Sequence, residues 1–145
     1  MSTTIATKRL YRVLAIIMLL AVMVTVTACF DGPNSSTWRM SKNVKESSAD
    51  GIFTISVDSA DRGTRNRTFN LNTDDLASIN VNSSSNSGEI ILVISQDGLL
   101  DGTEIRQDIS NFDGDIKTTG LNPGRIRFSL NFDTVQDSET TIKWR

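Results

Sequence analysis

Beyond its first thirty residues the chain alternates apolar and polar side chains with a period of two, and long apolar runs at helical spacing are missing. The clearest stretch is Gly124 to Asp133, where Ile126, Phe128, Leu130 and Phe132 fall on one face and Arg125, Arg127, Ser129 and Asn131 on the other. One apolar and one polar face is the pattern of an antiparallel strand that covers a core and meets water. Phe53, Ile55 and Val57 alternate with Thr54, Ser56 and Asp58, and Phe69 and Leu71 alternate with Asn70 and Asn72. Ile105, Gln107 and Ile109 oppose Glu104, Arg106 and Asp108 in the same way. Ala77, Ile79 and Val81 predict a further strand, while Trp38 with Met40 and Ile142 with Trp144 begin and close the domain. Ile90 to Ile94 is apolar on both faces, which predicts a central strand covered on both sides.

Turn signals separate these runs. Asp50-Gly51, Asp97-Gly98, Asp101-Gly102, Asp113-Gly114 and Asn122-Pro123-Gly124 are sequences in which glycine takes a positive φ without steric cost. Asn82 to Gly88 is a Ser/Asn-rich stretch that predicts an exposed loop tip. About eight short strands with regular turns predict an all-β fold, an antiparallel β-sandwich or jelly-roll-like domain.

The leader departs from this pattern. Lys8, Arg9 and Arg12 precede an almost wholly apolar run from Val13 to Val26, the make-up of a helical signal peptide. A membrane-spanning helix needs roughly 20 apolar residues, so the run is short for a permanent span. It ends in Val26-Thr27-Ala28-Cys29, which resembles the lipobox of bacterial lipoproteins, and Cys29 is the only cysteine of the chain. The resemblance implies removal of residues 1–28 and a diacylglyceryl thioether on Cys29. Two acyl chains, at about 0.8 kcal/mol per buried CH2, hold a protein stably on a membrane. Phe30 stands where an inner-membrane retention signal would place Asp. The expected location is therefore extracytoplasmic, on the outer face of the cell membrane, or on the outer membrane of a Gram-negative cell. Residues 29–37 read as the lipidated cysteine and a flexible tether of Asp, Gly, Pro, Asn, Ser and Thr, and 38–145 as a single sandwich domain.

Charge and composition narrow the functions open to that domain. All 17 acidic residues but only 12 of the 15 basic ones follow the leader, for a net charge of −5, which disfavours nucleic acid and disfavours lying flat on anionic lipid. Histidine is absent, which removes the commonest general base and every Ser-His or Cys-His pair. Zinc chemistry goes with it, because the single thiol belongs to the lipid. The chain is expected not to be an enzyme and to need no cofactor. A carboxylate-only hydrolase survives as a lesser alternative, with Asp58 and Asp61 or Asp74 and Asp75 as its acid pairs.

The lipobox, the Ser/Thr-rich start of the mature chain, the hairpin around Gln96 to Thr103 and the ending from Arg125 to Trp144 resemble small uncharacterised lipoproteins of Gram-positive bacteria. Their domain is similar in outline to the bacterial pre-peptidase C-terminal type of β-sandwich. That family has no catalytic residues to carry over, and the resemblance implies a binding or accessory module of the envelope. The alternative is a purely structural, surface-displayed domain without a small ligand. The expected partners are the membrane, through the lipid, and another envelope protein or a cell-wall polymer.

Two candidate constellations remain. Asp97, Asp101 and Asp108, with Asp113 and Asp115, offer loop carboxylates of the kind that hold calcium, although Leu99 occupies a ligand position of an EF-hand grid. Arg62, Arg65 and Arg67, with Arg125 and Arg127, could form an anion-binding patch suited to phosphates or acidic polysaccharide, or serve as the solvated face of a sheet.

Overall fold

The computed structural model describes residues 34–96 and 103–144; the leader, Cys29 and its tether up to Pro33 lie outside the described residues. The described chain forms β1 (Ser36–Arg39), β2 (Lys42–Ala49), β3 (Ile52–Leu71), the short helix α1 (Thr73–Ala77), β4 (Asn80–Ser84), β5 (Ser87–Gln96), β6 (Glu104–Asp108), β7 (Phe112–Asp115) and β8 (Gly124–Lys143). β3 and β8 are 20 residues each and pair antiparallel along their whole length, from Ile52 opposite Lys143 to Leu71 opposite Gly124.

This long pair is the spine of a sheet folded in half. The first half of β3 pairs with β2 and the second half with β1. On β8 the first half pairs with β5 and the last five residues with β4, while β6 and β7 continue outward from β5 and β4. One layer is therefore β2, β3, β8, β4 and β7, the other is β1, β3, β8, β5 and β6, and all strand pairs are antiparallel. The layers close face to face on one core. Phe53 of the first layer meets Phe69 of the second with ring centroids 6.0 Å apart, and Trp144 lies 4.5 Å from Phe69 and 5.7 Å from Phe128. The fold is the all-β antiparallel sandwich that alternation predicted, with strands that switch layers at a bend.

The bend is legible in the phase of the alternation. Core positions on β3 run Phe53, Ile55, Val57, then Ala60, then Leu71 and its alternating neighbours; on β8 they run Ile126 to Phe132, then Val135, then Ser138, Thr140 and Ile142. Each strand slips out of phase opposite the other, since Ala60 pairs with Val135. A slip of one residue turns every following side chain to the other face, so a ribbon that bends must slip to keep its apolar set inside. The four non-glycine residues with positive φ, Met40, Asn43, Thr134 and Asp137, all lie along this corner. Gly88 joins them with φ +85°, and a Cβ there would overlap the Thr134 carbonyl oxygen and lie 2.5 Å from that of Asp133.

The Ser/Asn-rich stretch from Asn82 to Gly88 is part of the corner and not an exposed tip. Asn82 to Ser84 belong to β4, Ser87 and Gly88 to β5, and Ser83 and Ser85 are buried. A bend leaves backbone groups without ladder partners, and short polar side chains satisfy them locally. Ser85 Oγ donates to the carbonyl of Ser87 at 2.5 Å, Asn111 Oδ1 accepts the Ser85 N–H at 3.3 Å, and Ser110 Oγ accepts the Ile90 N–H at 2.9 Å. Ser83 and Thr140 share a buried hydroxyl hydrogen bond of 2.7 Å, which lets two polar residues stand on the core face.

Three other expectations change. Ala77 ends α1 and is not in a strand; Asn72 caps this helix, its side chain accepting the N–H groups of Asp74 and Asp75 while Asp75 accepts that of Asn72. Asp113-Gly114 lies within β7 and is not a turn. Ser36 and Thr37, read as tether, begin β1, and Ser35 is already bonded to β3 through its carbonyl and hydroxyl.

Candidate functional site

The seven described arginines all lie in the second layer, and the four described lysines all lie outside its strands. Partners across an antiparallel pair share a face. Because Ile126, Phe128, Leu130 and Phe132 point into the core, their neighbours Arg125, Arg127, Ser129 and Asn131 form the outer face of this layer. The register extends that face in rows. Thr37, Thr64, Asn131, Ile91 and Asp108 form one row, Asn66, Ser129, Val93 and Arg106 the next, and Thr68, Arg127, Ser95 and Glu104 a third. At the corner Arg39 lies opposite Arg62 and Arg62 opposite Asp133.

Near the corner this face holds a groove of about 190 Å3. Arg62, Arg106, Glu89 and Asp133 bring two guanidinium and two carboxylate groups to its lining, and Thr64 and Asn131 add a hydroxyl and an amide. Ile91, only 8% exposed, supplies an apolar patch. Thr64 Oγ1 donates to Asn131 Oδ1 at 3.0 Å, and Arg62 Nη2 lies 4.0 Å from Asp133 Oδ2. Both members of that charged pair are more than half exposed, so they stay solvated and can exchange one another for a ligand at little cost. The groove thus offers donors and acceptors side by side over an apolar patch, the composition of a site for a polar, uncharged or zwitterionic ligand. A larger hollow of about 390 Å3 lies between α1 and the 115–123 segment, but Leu76, Ala77, Ile116, Leu121 and Pro123 give it fewer converging polar side chains.

The five arginines expected to form an anion-binding patch are divided. Arg62 lines the groove and Arg127 and Arg125 continue along the same outer face. Arg65 and Arg67 point the other way, because they lie opposite Leu130 and Phe128. There they meet Glu46, which reaches in from β2 of the first layer. Arg65 Nε and Nη2 lie 2.5 and 2.9 Å from its two carboxylate oxygens, Arg67 Nη2 bonds the second oxygen as well, and Arg65 Nη1 donates to the Ser35 carbonyl at 3.1 Å. With side chains 11%, 29% and 18% exposed, Arg65, Arg67 and Glu46 form an ion triad that joins the two layers. Burial lowers the Arg65 guanidinium below its ordinary value, yet it stays charged beside the carboxylate.

The carboxylates expected to hold calcium are not gathered either. Asp97 and Asp101 lie outside the described residues. Asp108 ends β6 in the second layer, whereas Asp113 and Asp115 lie on β7 in the first, where Asp115 accepts a 3.0 Å hydrogen bond from Asn80. Among the described residues no group of three or more acidic, cysteine or histidine side chains could hold a metal ion. The acid pairs serve the fold: Asp58 accepts from Asn43 at 2.6 Å, Asp61 lies 3.5 Å from Arg39, and Asp75 is the buried cap of α1.

Asp108 is held in its ionised form by Ser110, whose hydroxyl donates at 2.7 Å and whose backbone N–H donates at 2.9 Å. These bonds pull the carboxyl below its ordinary value, the hydroxyl contributing most. A depressed carboxylate favours the fold above the ordinary carboxylate range, and that contribution is lost as the pH falls through the depressed value. NMR titration of the Asp108 carboxyl should therefore show a low midpoint, and Ser110→Ala should move it back up toward the ordinary value. A midpoint unchanged by the substitution would show that the hydroxyl is not the cause.

The chain matches no family model and no curated protein sequence. Among solved structures it is similar to the module TmCBM61 in complex with β-1,4-galactotriose, at 13% identity over 77% of this chain and 85% of that one, with a TM-score of 0.42. It is also similar to the family 11 carbohydrate-binding module of Clostridium thermocellum in complex with a β-1,3-1,4-mixed-linked tetrasaccharide, at 14% identity over 79% and 89%, with a TM-score of 0.35. Likeness at this level assigns neither ligand nor site to this chain.

Arg106, Glu89, Thr64 and Asn131 were not singled out from sequence. Arg106, Thr64 and Asn131 belong to polar faces of strands, a visible signal, but alternation does not say which strands become neighbours, and Glu89 only borders an apolar run.

Proposed function

We propose that the protein is a lipid-anchored, non-catalytic binding module of the bacterial envelope that holds a cell-wall polymer across the outer face of its second layer. The observation that carries the binding half is the groove, where Arg62, Arg106, Glu89, Asp133, Thr64 and Asn131 converge on an outer sheet face beside a nearly buried Ile91. Guanidinium and carboxylate groups each present two coplanar hydrogen-bonding atoms, which match the paired hydroxyls of a sugar ring. The anchoring half rests on the basic and apolar leader and on Cys29 behind Val26, Thr27 and Ala28.

The test is co-sedimentation of the vesicle-anchored protein with isolated wall polysaccharide. Arg106→Ala and Asn131→Ala should each weaken binding about tenfold, roughly 1.4 kcal/mol. Parent-like retention by both variants, or no retention of the parent protein by any wall fraction, rejects the groove as the site.

A further inference from the structure

The groove and the point where the chain enters the sandwich lie at opposite ends of one layer. Asn34 Oδ1 accepts the N–H of Thr68 at 3.2 Å, and the Ser35 carbonyl accepts the N–H of Asn66 at 2.9 Å, so the chain is secured to β3 from Asn34 onward. These contacts lie toward the open end of the folded sheet, where β3 ends at Leu71 and β8 begins at Gly124. β1 then runs toward the corner, where Arg39 reaches Arg62 and the groove begins.

Only four residues separate Cys29 from Asn34, a reach of roughly 18 Å at full extension. From Thr68 to Gly63 along β3 is about 17 Å further, at 3.3–3.4 Å per strand residue. Beside the entry point lies a hollow of about 360 Å3 lined by Asn34, Thr68, Phe69, Asn70 and Arg125. Lys143 and Lys117 stand toward the same end, on the last residue of β8 and in the segment after β7. The corner instead carries exposed Asp58, Asp61, Glu89, Asp133 and Asp137. An anionic bilayer attracts the first end and repels the second.

We infer that the open end of the sandwich, at the hollow containing Arg125, rests against the headgroup phosphates of the bilayer that holds Cys29, and that the corner with its groove points away from it. This orientation rests on the anchoring reading above. A module held end-on lets a wall polymer reach the groove without crossing the headgroup layer.

The experiment uses the full lipidated protein in vesicles of phosphatidylglycerol and phosphatidylcholine. A single fluorophore is attached through Asn70→Cys or through Ser84→Cys, exposed positions near the open end and the corner, and a headgroup-linked quencher is carried in the lipid. Quenching several-fold stronger from position 70 than from position 84 is the expected result. Equal or reversed quenching on protein that floats with the vesicles overturns the orientation and leaves the anchor standing. Protein that does not float, with Cys29 unmodified by intact mass, overturns the anchor and the orientation together.

Discussion

Gly88→Ala is expected to destabilise the domain by about 3–5 kcal/mol, from the cost of a left-handed backbone for an L-residue and of pressing a methyl group into a packed interior. Gly88 has φ +85°, and a Cβ there meets the backbone of Asp133 and Thr134, which cannot swing aside as a side chain would. Thr134 is itself at φ 52°, an uncommon position for a β-branched residue, so the neighbouring strand has little room to give. Relief would require β5 to part from β8 at the corner, where their register already shifts between Ser87 and Glu89. Urea denaturation of the variant measures the loss, and at about 4–8 °C per kcal/mol for a domain near this size the melting temperature should fall by well over 10 °C. A change below about 1 kcal/mol would mean that the corner is not tightly packed against β5.

Glu46→Ala is the second large effect, expected at about 3 kcal/mol, because it leaves two mostly buried guanidinium groups side by side without their anion. The origin of the loss can be separated from its size. Replacing Glu46, Arg65 and Arg67 together by apolar residues of similar volume should recover most of the stability, since a matched apolar cluster avoids desolvating three charges. If the triple variant is as unstable as Glu46→Ala, the ion pairs contribute net energy and the triad is more than a specificity device. Thermal melts of both variants in parallel decide between these accounts.

The two effects also mark what sequence reading could reach. Phe53 to Val57, Phe69 with Leu71, Ile126 to Phe132 and Ile142 with Trp144 were each visible as strand pieces, because a period of two in apolar residues is a local property. That the first two are one strand, and the last two another, was hidden by the phase slip at Ala60 and Val135. Asn82 to Gly88 misled for a related reason. Ser and Asn are what a loop uses, and they are also what a bent ribbon uses to satisfy backbone groups lost from its ladder.

The arginines show the same division. Arg65 and Arg67 looked like Arg62, one more basic residue in a polar stretch, and nothing local distinguishes them. The corner between Ser59 and Arg62 set their parity, turning them inward to Glu46 while Arg62, Arg125 and Arg127 remained outside with Arg106.

The sequence by itself determined the secondary structure class and most strand positions, because alternation and turn residues act over a few neighbours. It also carried the leader, the lone Cys29 and the absence of histidine, which are matters of composition and order. Only the tertiary structure decided which polar faces meet, that the sheet folds on itself, and that the groove lies far from the entry point of the chain. Those outcomes depend on pairing residues as distant as Arg62 and Asp133, and on a one-residue slip that reverses the face of everything after it.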